Sequence, residues 1–115
     1  MNRDRHYYEL HAELCKLIAN PKRQQILNAL RHGERTVGEI AAQVGAREAN
    51  ISQHLARLRA RGVVRTRREG TTIYYRLVYP QILQALDLMA EVLEEISKRE
   101  YELSRLPEER AEKKL

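Results

Sequence analysis

The chain contains no tryptophan and no phenylalanine, and among its 115 residues it has one cysteine and three prolines. Without the two largest apolar aromatics, the core must be assembled from Leu, Ile, Val and Ala with help from six tyrosines. A lone cysteine, Cys15, excludes an internal disulfide and makes a reducing, cytoplasmic setting the expectation. No apolar run approaches the roughly 18 residues that a membrane-spanning helix needs, so neither a span nor a secretory signal is expected. The length suits one domain able to bury a real core. Its expected boundaries are 1–106 for the folded domain and 107–115 (PEERAEKKL) for a charged, frayed tail.

Acids are scarce where bases are dense. Between Arg47 and Arg76 eight arginines face only Glu48 and Glu69, a net +6, whereas from Pro80 to Leu115 nine acids outnumber six bases, a net −3. A solvated arginine face would normally carry interleaved acids as helix partners. Their absence points instead to a polyanionic partner for the middle of the chain.

Hydrophobic periodicity predicts five helices and one hairpin. The first helix runs from about Arg3 to Ala19, with Tyr7, Leu10, Leu14, Leu17 and Ile18 at helical spacing. Asn20-Pro21 reads as an N-cap followed by proline at the first helical position, opening a second helix that ends at Gly33. Thr36-Val-Gly-Glu39 has the form of a capping box before a short helix stopped by Gly45. A fourth helix spans about Glu48 to Arg61, with Ile51, Leu55 and Leu58 on one stripe and no evident N-cap. The short third and fourth helices, joined by a tight turn, form a helix-turn-helix pattern. VVRTR (63–67) and TTIYYRLV (71–78) then switch to β-branched and aromatic residues, with Arg68-Glu69-Gly70 as the expected turn. Such a hairpin after a recognition helix is a wing. Pro80 opens a last helix to roughly Leu106, apolar along Ile82, Leu83, Leu86, Met89, Ala90, Leu93 and Ile96.

Function is expected on the fourth helix, opposite its apolar stripe. There Asn50, Gln53 and Arg57 project at helical spacing, flanked by Ser52 and His54. Asn and Gln suit bidentate contact with adenine, and Arg with guanine, in the major groove. Arg65, Arg67 and Arg68, on or beside the hairpin turn, suit backbone or minor-groove contact. Thr36, Arg47, Thr71 and Tyr75 complete the expected DNA-contacting set. Leu10, Leu14, Leu86, Met89, Leu93 and Ile96 offer more apolar surface than one small domain needs, which points to a two-fold dimer.

ISQHLARLRARGVVRTRREGTTIYYRL resembles the recognition helix and wing of the ArsR/SmtB family of winged-helix transcriptional repressors. The resemblance rests on Ser52, His54, Leu55 and Leu58 in S-x-H-L-x-x-L, on Gly62-Val-Val, and on Arg68, Gly70 and Tyr75 of the wing. NPKRQQILNAL and TVGEIAAQVG resemble the family's preceding helices, so that the likeness covers about Leu14 to Leu88. It implies a mainly α winged helix-turn-helix fold with a two-stranded wing. It also implies a homodimer through the first and last helices, and double-stranded promoter DNA as partner.

Members of that family are typically released from DNA by an inducer, often a metal. The thiolate type of site carries cysteines on the helix matching Val37–Val44, which here reads VGEIAAQV. The carboxylate–histidine type uses the last helix, which here has Asp87, Glu91, Glu94 and Glu95 but no histidine. His6, His11 and Cys15 remain as candidate ligands on the first helix. A His-x-x-x-Cys pair supplies two ligands where three or four are needed, so no metal or cofactor is expected and no inducer is named. Competing readings are a winged-helix protein-interaction module without specific DNA binding and a metal- or thiol-responsive repressor using His11 and Cys15. An enzyme is not expected, because neither a nucleophile–base set with its companions nor a phosphate-binding glycine loop is present.

Overall fold

A computed structural model describes residues 3–105; the expected tail at 107–115 lies outside them. The elements run α1 (Arg5–Ile18), α2 (Pro21–Ala29), β1 (Arg35–Thr36), α3 (Val37–Val44), α4 (Glu48–Ala60), β2 (Val64–Glu69), β3 (Thr72–Leu77) and α5 (Gln81–Ser104). Residues up to Pro80 form one compact unit, and a second begins at Gln81 with α5.

Local chemistry sets most of the helix ends. Asp4, a cap the sequence reading did not identify, accepts from the Tyr7 amide and starts α1 two residues later than expected. Asn20 caps α2 through the Arg23 amide, with Pro21 at the first turn. That helix stops at Ala29, short of the expected Gly33, and tight turns through Leu30 and Arg31 carry the chain to that glycine. At α3 the capping box is complete: the Glu39 amide donates to the Thr36 hydroxyl, and the Glu39 carboxylate accepts from the Thr36 amide. Those bonds to Thr36 hold the Glu39 carboxyl below its ordinary range. Arg47 begins α4 without a side-chain cap, and Glu48 supplies the acidic first turn that suits the helix dipole. The helix closes through Gly62 at φ +73°, where the Gly62 amide reaches the Arg59 carbonyl and the Val63 amide the Leu58 carbonyl. This reversal aims the chain directly into β2.

The sheet is three-stranded and antiparallel in the order β1-β3-β2, one strand more than the expected wing. The extra strand is the two residues Arg35 and Thr36, which pair with Tyr75 and Tyr74. Glu69 pairs with Thr72, so the hairpin turn is Gly70-Thr71, and Arg68 and Glu69 belong to the strand instead of the turn. Gly70, at φ +60°, occupies the first central position of that two-residue turn.

The apolar core of the first unit is aliphatic. Ile26 and Leu27 of α2, Ile40 of α3 and Ile51, Leu55 and Leu58 of α4 are fully buried, joined by Val63 and Val64 at the root of the hairpin. One charged residue is buried with them. Arg23 of α2 donates from Nε to Nδ1 of His54 on α4 at 3.3 Å and from Nη1 to the Leu17 carbonyl of α1 at 2.6 Å. A single guanidinium therefore ties three helices together. Because His54 accepts that bond, its Nδ1 must be unprotonated. Burial, followed by the nearby charges of Arg23, Arg57 and Lys22, lowers the His54 pKa below 6.5.

Two outcomes follow for stability. Thr36→Ala should lower the unfolding free energy by about 1 kcal/mol, read by urea denaturation, since it removes the hydroxyl half of the capping box. The contribution of His54 should be complete above pH 6.5, where folded and unfolded chains both keep it neutral. Stability should then fall as the pH drops from 6.5 toward the lowered folded-state value, because only the unfolded chain takes up the proton there. Denaturation across that range should show this slope in the native chain and lose it in His54→Gln.

Candidate nucleic-acid interface

Burial of Ile51, Leu55 and Leu58 decides which way the rest of α4 faces. Asn50, Ser52, Gln53 and Arg57 are exposed on the helix whose other side forms the core. Each of the four carries donors or acceptors suited to base edges or phosphates. His54, grouped with them on sequence grounds, takes a different place: it is half-buried and turned to Arg23. Arg47 is exposed at the start of the helix, and Thr36 spends its hydroxyl on the α3 cap.

The hairpin divides its arginines between two faces. The register sets Arg65 opposite Arg76 and Arg67 opposite Tyr74 on one face, with Arg68 opposite Ile73 on the other. Arg67 is committed within the protein. Its Nε contacts both Glu34 carboxylate oxygens at 3.1 and 3.2 Å, its Nη1 reaches Glu69 at 2.9 Å, and its guanidinium lies 4.6 Å from the centre of the Tyr74 ring. Glu34 and then Glu69 raise its pKa above the ordinary arginine value. Arg65 and Arg76 have no such partners among the described residues. Like charges directly opposite one another destabilise a strand pair, so this pair favours an incoming anion. Arg76 was not among the expected contacts; the observed register, which turns at Gly70-Thr71 instead of at 68–70, sets it opposite Arg65. Tyr75 is half-buried in the central strand between Arg35 and Thr66, and Thr71 is exposed at the turn.

On α1 the structure brings together Cys15 Sγ and His11 Nδ1 at 3.5 Å, both exposed, while His6 is exposed nearer the helix start. Among the described residues no three His, Cys, Asp or Glu side chains form a group able to hold a metal ion. Leu10 and Leu14 of α1 are exposed, and Leu86 of α5 is half-buried. Along α5, Leu88, Met89, Val92, Leu93 and Ile96 are exposed, with Leu88, Met89 and Leu93 each above 60%. No described helix is long and apolar enough to cross a membrane.

Residues 20–66 match the model of the arsR family of bacterial regulatory proteins. The HTH-type transcriptional regulator KmtR of Mycobacterium tuberculosis is 46% identical over 72 residues, a match covering 63% of this chain and 55% of KmtR. Rv0081, an HTH-type transcriptional regulator of the same organism, is 40% identical over 87 residues, covering 75% of this chain and 76% of the relative. Its crystal structure matches with a TM-score of 0.74 at 35% identity, over 85% of this chain and 99% of that one. The solution structure of the homodimeric winged helix-turn-helix DNA-binding domain Mb0332 from Mycobacterium bovis matches with a TM-score of 0.68 at 35% identity, over 85% and 93% of the two chains. With its caps, its buried α4 stripe and its wing, the chain belongs to the arsR family of bacterial regulatory proteins; it is a winged helix-turn-helix transcriptional regulator and not an enzyme.

Proposed function

We propose that the protein is a cytoplasmic, dimeric repressor that binds an inverted-repeat operator in promoter DNA. One observation carries this reading above the others. The helix that buries Ile51, Leu55 and Leu58 completely leaves Asn50, Gln53 and Arg57 exposed together, with the Arg65/Arg76 pair unneutralised on the hairpin. A protein-interaction module would have no need to keep an uncompensated arginine pair beside a row of amide side chains. In this reading Asn50, Ser52, Gln53 and Arg57 read bases, while Arg47, Arg65, Arg68, Arg76 and Thr71 meet phosphates. His54 and Arg67 hold the reading elements in place, and Tyr75 packs in the sheet.

Dimerisation is supported by the exposed leucines and methionine of α5, by Leu10 and Leu14 of α1, and by the homodimeric state of Mb0332. A second copy related by a two-fold axis would cover this apolar surface. It would also set two recognition helices about one DNA turn, roughly 34 Å, apart. The folded unit in this reading ends near residue 106. Among the described residues His11 and Cys15 supply two ligands where a metal site needs three or four, so this reading names no inducer.

The decisive measurement is a gel shift with duplex DNA from upstream of the protein's own coding region. Specific retention is expected, and retention no stronger than with unrelated duplex would end the repressor reading. Affinity should fall with a log–log salt slope of about −0.9 per neutralised phosphate. Replacing Gln53 or Arg57 by Ala should cost roughly 1–3 kcal/mol on the specific site and much less on unrelated DNA. The double substitution Leu93→Asp with Ile96→Asp should shift the protein to a monomer in sedimentation and weaken operator binding along with it.

A further inference from the structure

Arg23 is a buried charge with no counter-ion. It exposes 8% of its surface, and both acceptors it uses, the Leu17 carbonyl and the His54 ring nitrogen, are neutral. No carboxylate pairs with it among the described residues. Arginine does not shed its proton to escape such a site, and an unpaired buried charge is costly. The remaining edge of the guanidinium, Nη2, makes no hydrogen bond within the described residues. It is not sealed in, because no enclosed side-chain nitrogen or oxygen there lacks a partner.

Arg23 lines a cleft of about 470 Å³ between α1, α2 and α4. Lys16, Arg57 and Arg61 also line it, and Glu13 is the one acid on its wall, already drawn to Arg61 at 3.7 Å. Three cations are therefore left without an acid partner in one cavity.

The geometry points to an oxyanion site in this cleft, in which a phosphate group is held by Arg23 from within and by Lys16, Arg57 and Arg61 at the rim. Guanidinium groups match phosphate oxygens in fork geometry, and Arg23 offers such a fork from a largely buried position. Arg57 belongs both to this cleft and to the DNA-reading face. On the DNA-binding reading above, an anion in the cleft and a duplex on the face compete for one side chain. The phosphate has two sources, a free phosphorylated molecule or the DNA backbone itself.

The test uses the full chain and inorganic phosphate, with sodium chloride at equal ionic strength as control. An NMR titration without DNA should give saturable shifts at Lys16, Arg23, Arg57 and Arg61 that chloride does not reproduce. In a fluorescence-anisotropy assay, saturating phosphate should weaken duplex binding by about tenfold relative to chloride. The double substitution Lys16→Gln with Arg61→Gln, at two exposed positions, should abolish both effects. These positions are chosen because Arg23→Gln removes hydrogen bonds that hold three helices. If direct titration is silent but the double variant makes the salt slope of DNA binding shallower by about one unit per lost contact, the phosphate is that of the DNA backbone. Equal responses to phosphate and chloride, with an unchanged salt slope, overturn the site. Because the titration needs no DNA, it stands or falls separately from the repressor reading.

Discussion

Everything that this molecule presents to a partner depends on the burial of one stripe. Ile51, Leu55 and Leu58 are the inward face of α4, and each is shut away from water against α2, α3 and the root of the hairpin. Burying a side chain of that size is worth about 1.5–3 kcal/mol, so rotating the helix would expose three fully buried core side chains in a protein with no Trp or Phe to replace them. The orientation of the reading face therefore needs no contact of its own. Asn50, Gln53 and Arg57 point outward because the leucines and isoleucine point inward.

Charge works against this economy and is tolerated in a patterned way. Where an arginine supports the fold, it is satisfied: Arg67 is held by Glu34, Glu69 and the Tyr74 ring, and so fastens the hairpin to the loop before β1. Where arginines remain unsatisfied, at Arg65, Arg76 and within the Arg23 cleft, the cost is electrostatic repulsion or incomplete desolvation. Unsatisfied cations collected on one unit of a small protein are consistent with a polyanion as its partner. Acids are thus placed to brace and arginines to bind, and the two roles differ in partners more than in residue type.

The Arg23–His54 link has a consequence for how rigidly the reading face is presented. It joins α4 to both α1 and α2 through one buried group, and its strength depends on the protonation state of His54. Loss of that acceptor would remove one polar tie between α4 and its neighbours α1 and α2, while the buried stripe would still hold the helix in place.

Much was legible in the linear sequence because its causes are local. The capping box of Thr36 and Glu39, the Asn20-Pro21 start, the α4 stripe and the β-branched hairpin are all short-range patterns, and each helix and both wing strands stand where those patterns placed them within a few residues. Apart from the Asp4 cap and the early end of α2, what escaped was set by partners distant in the chain. Two residues at 35–36 became a strand only because β3 offers an unpaired edge, and Arg68 and Glu69 became strand residues because pairing with Ile73 and Thr72 outweighed their turn-like composition. His54 looked like a reader from its place beside Gln53, yet an arginine thirty-one residues earlier claims it. Sequence alone determined the five helices and the wing hairpin, because helical period, capping and strand composition are properties of neighbouring residues. Tertiary structure alone decided which cations are free to bind, because that depends on which acids and acceptors the fold brings within reach.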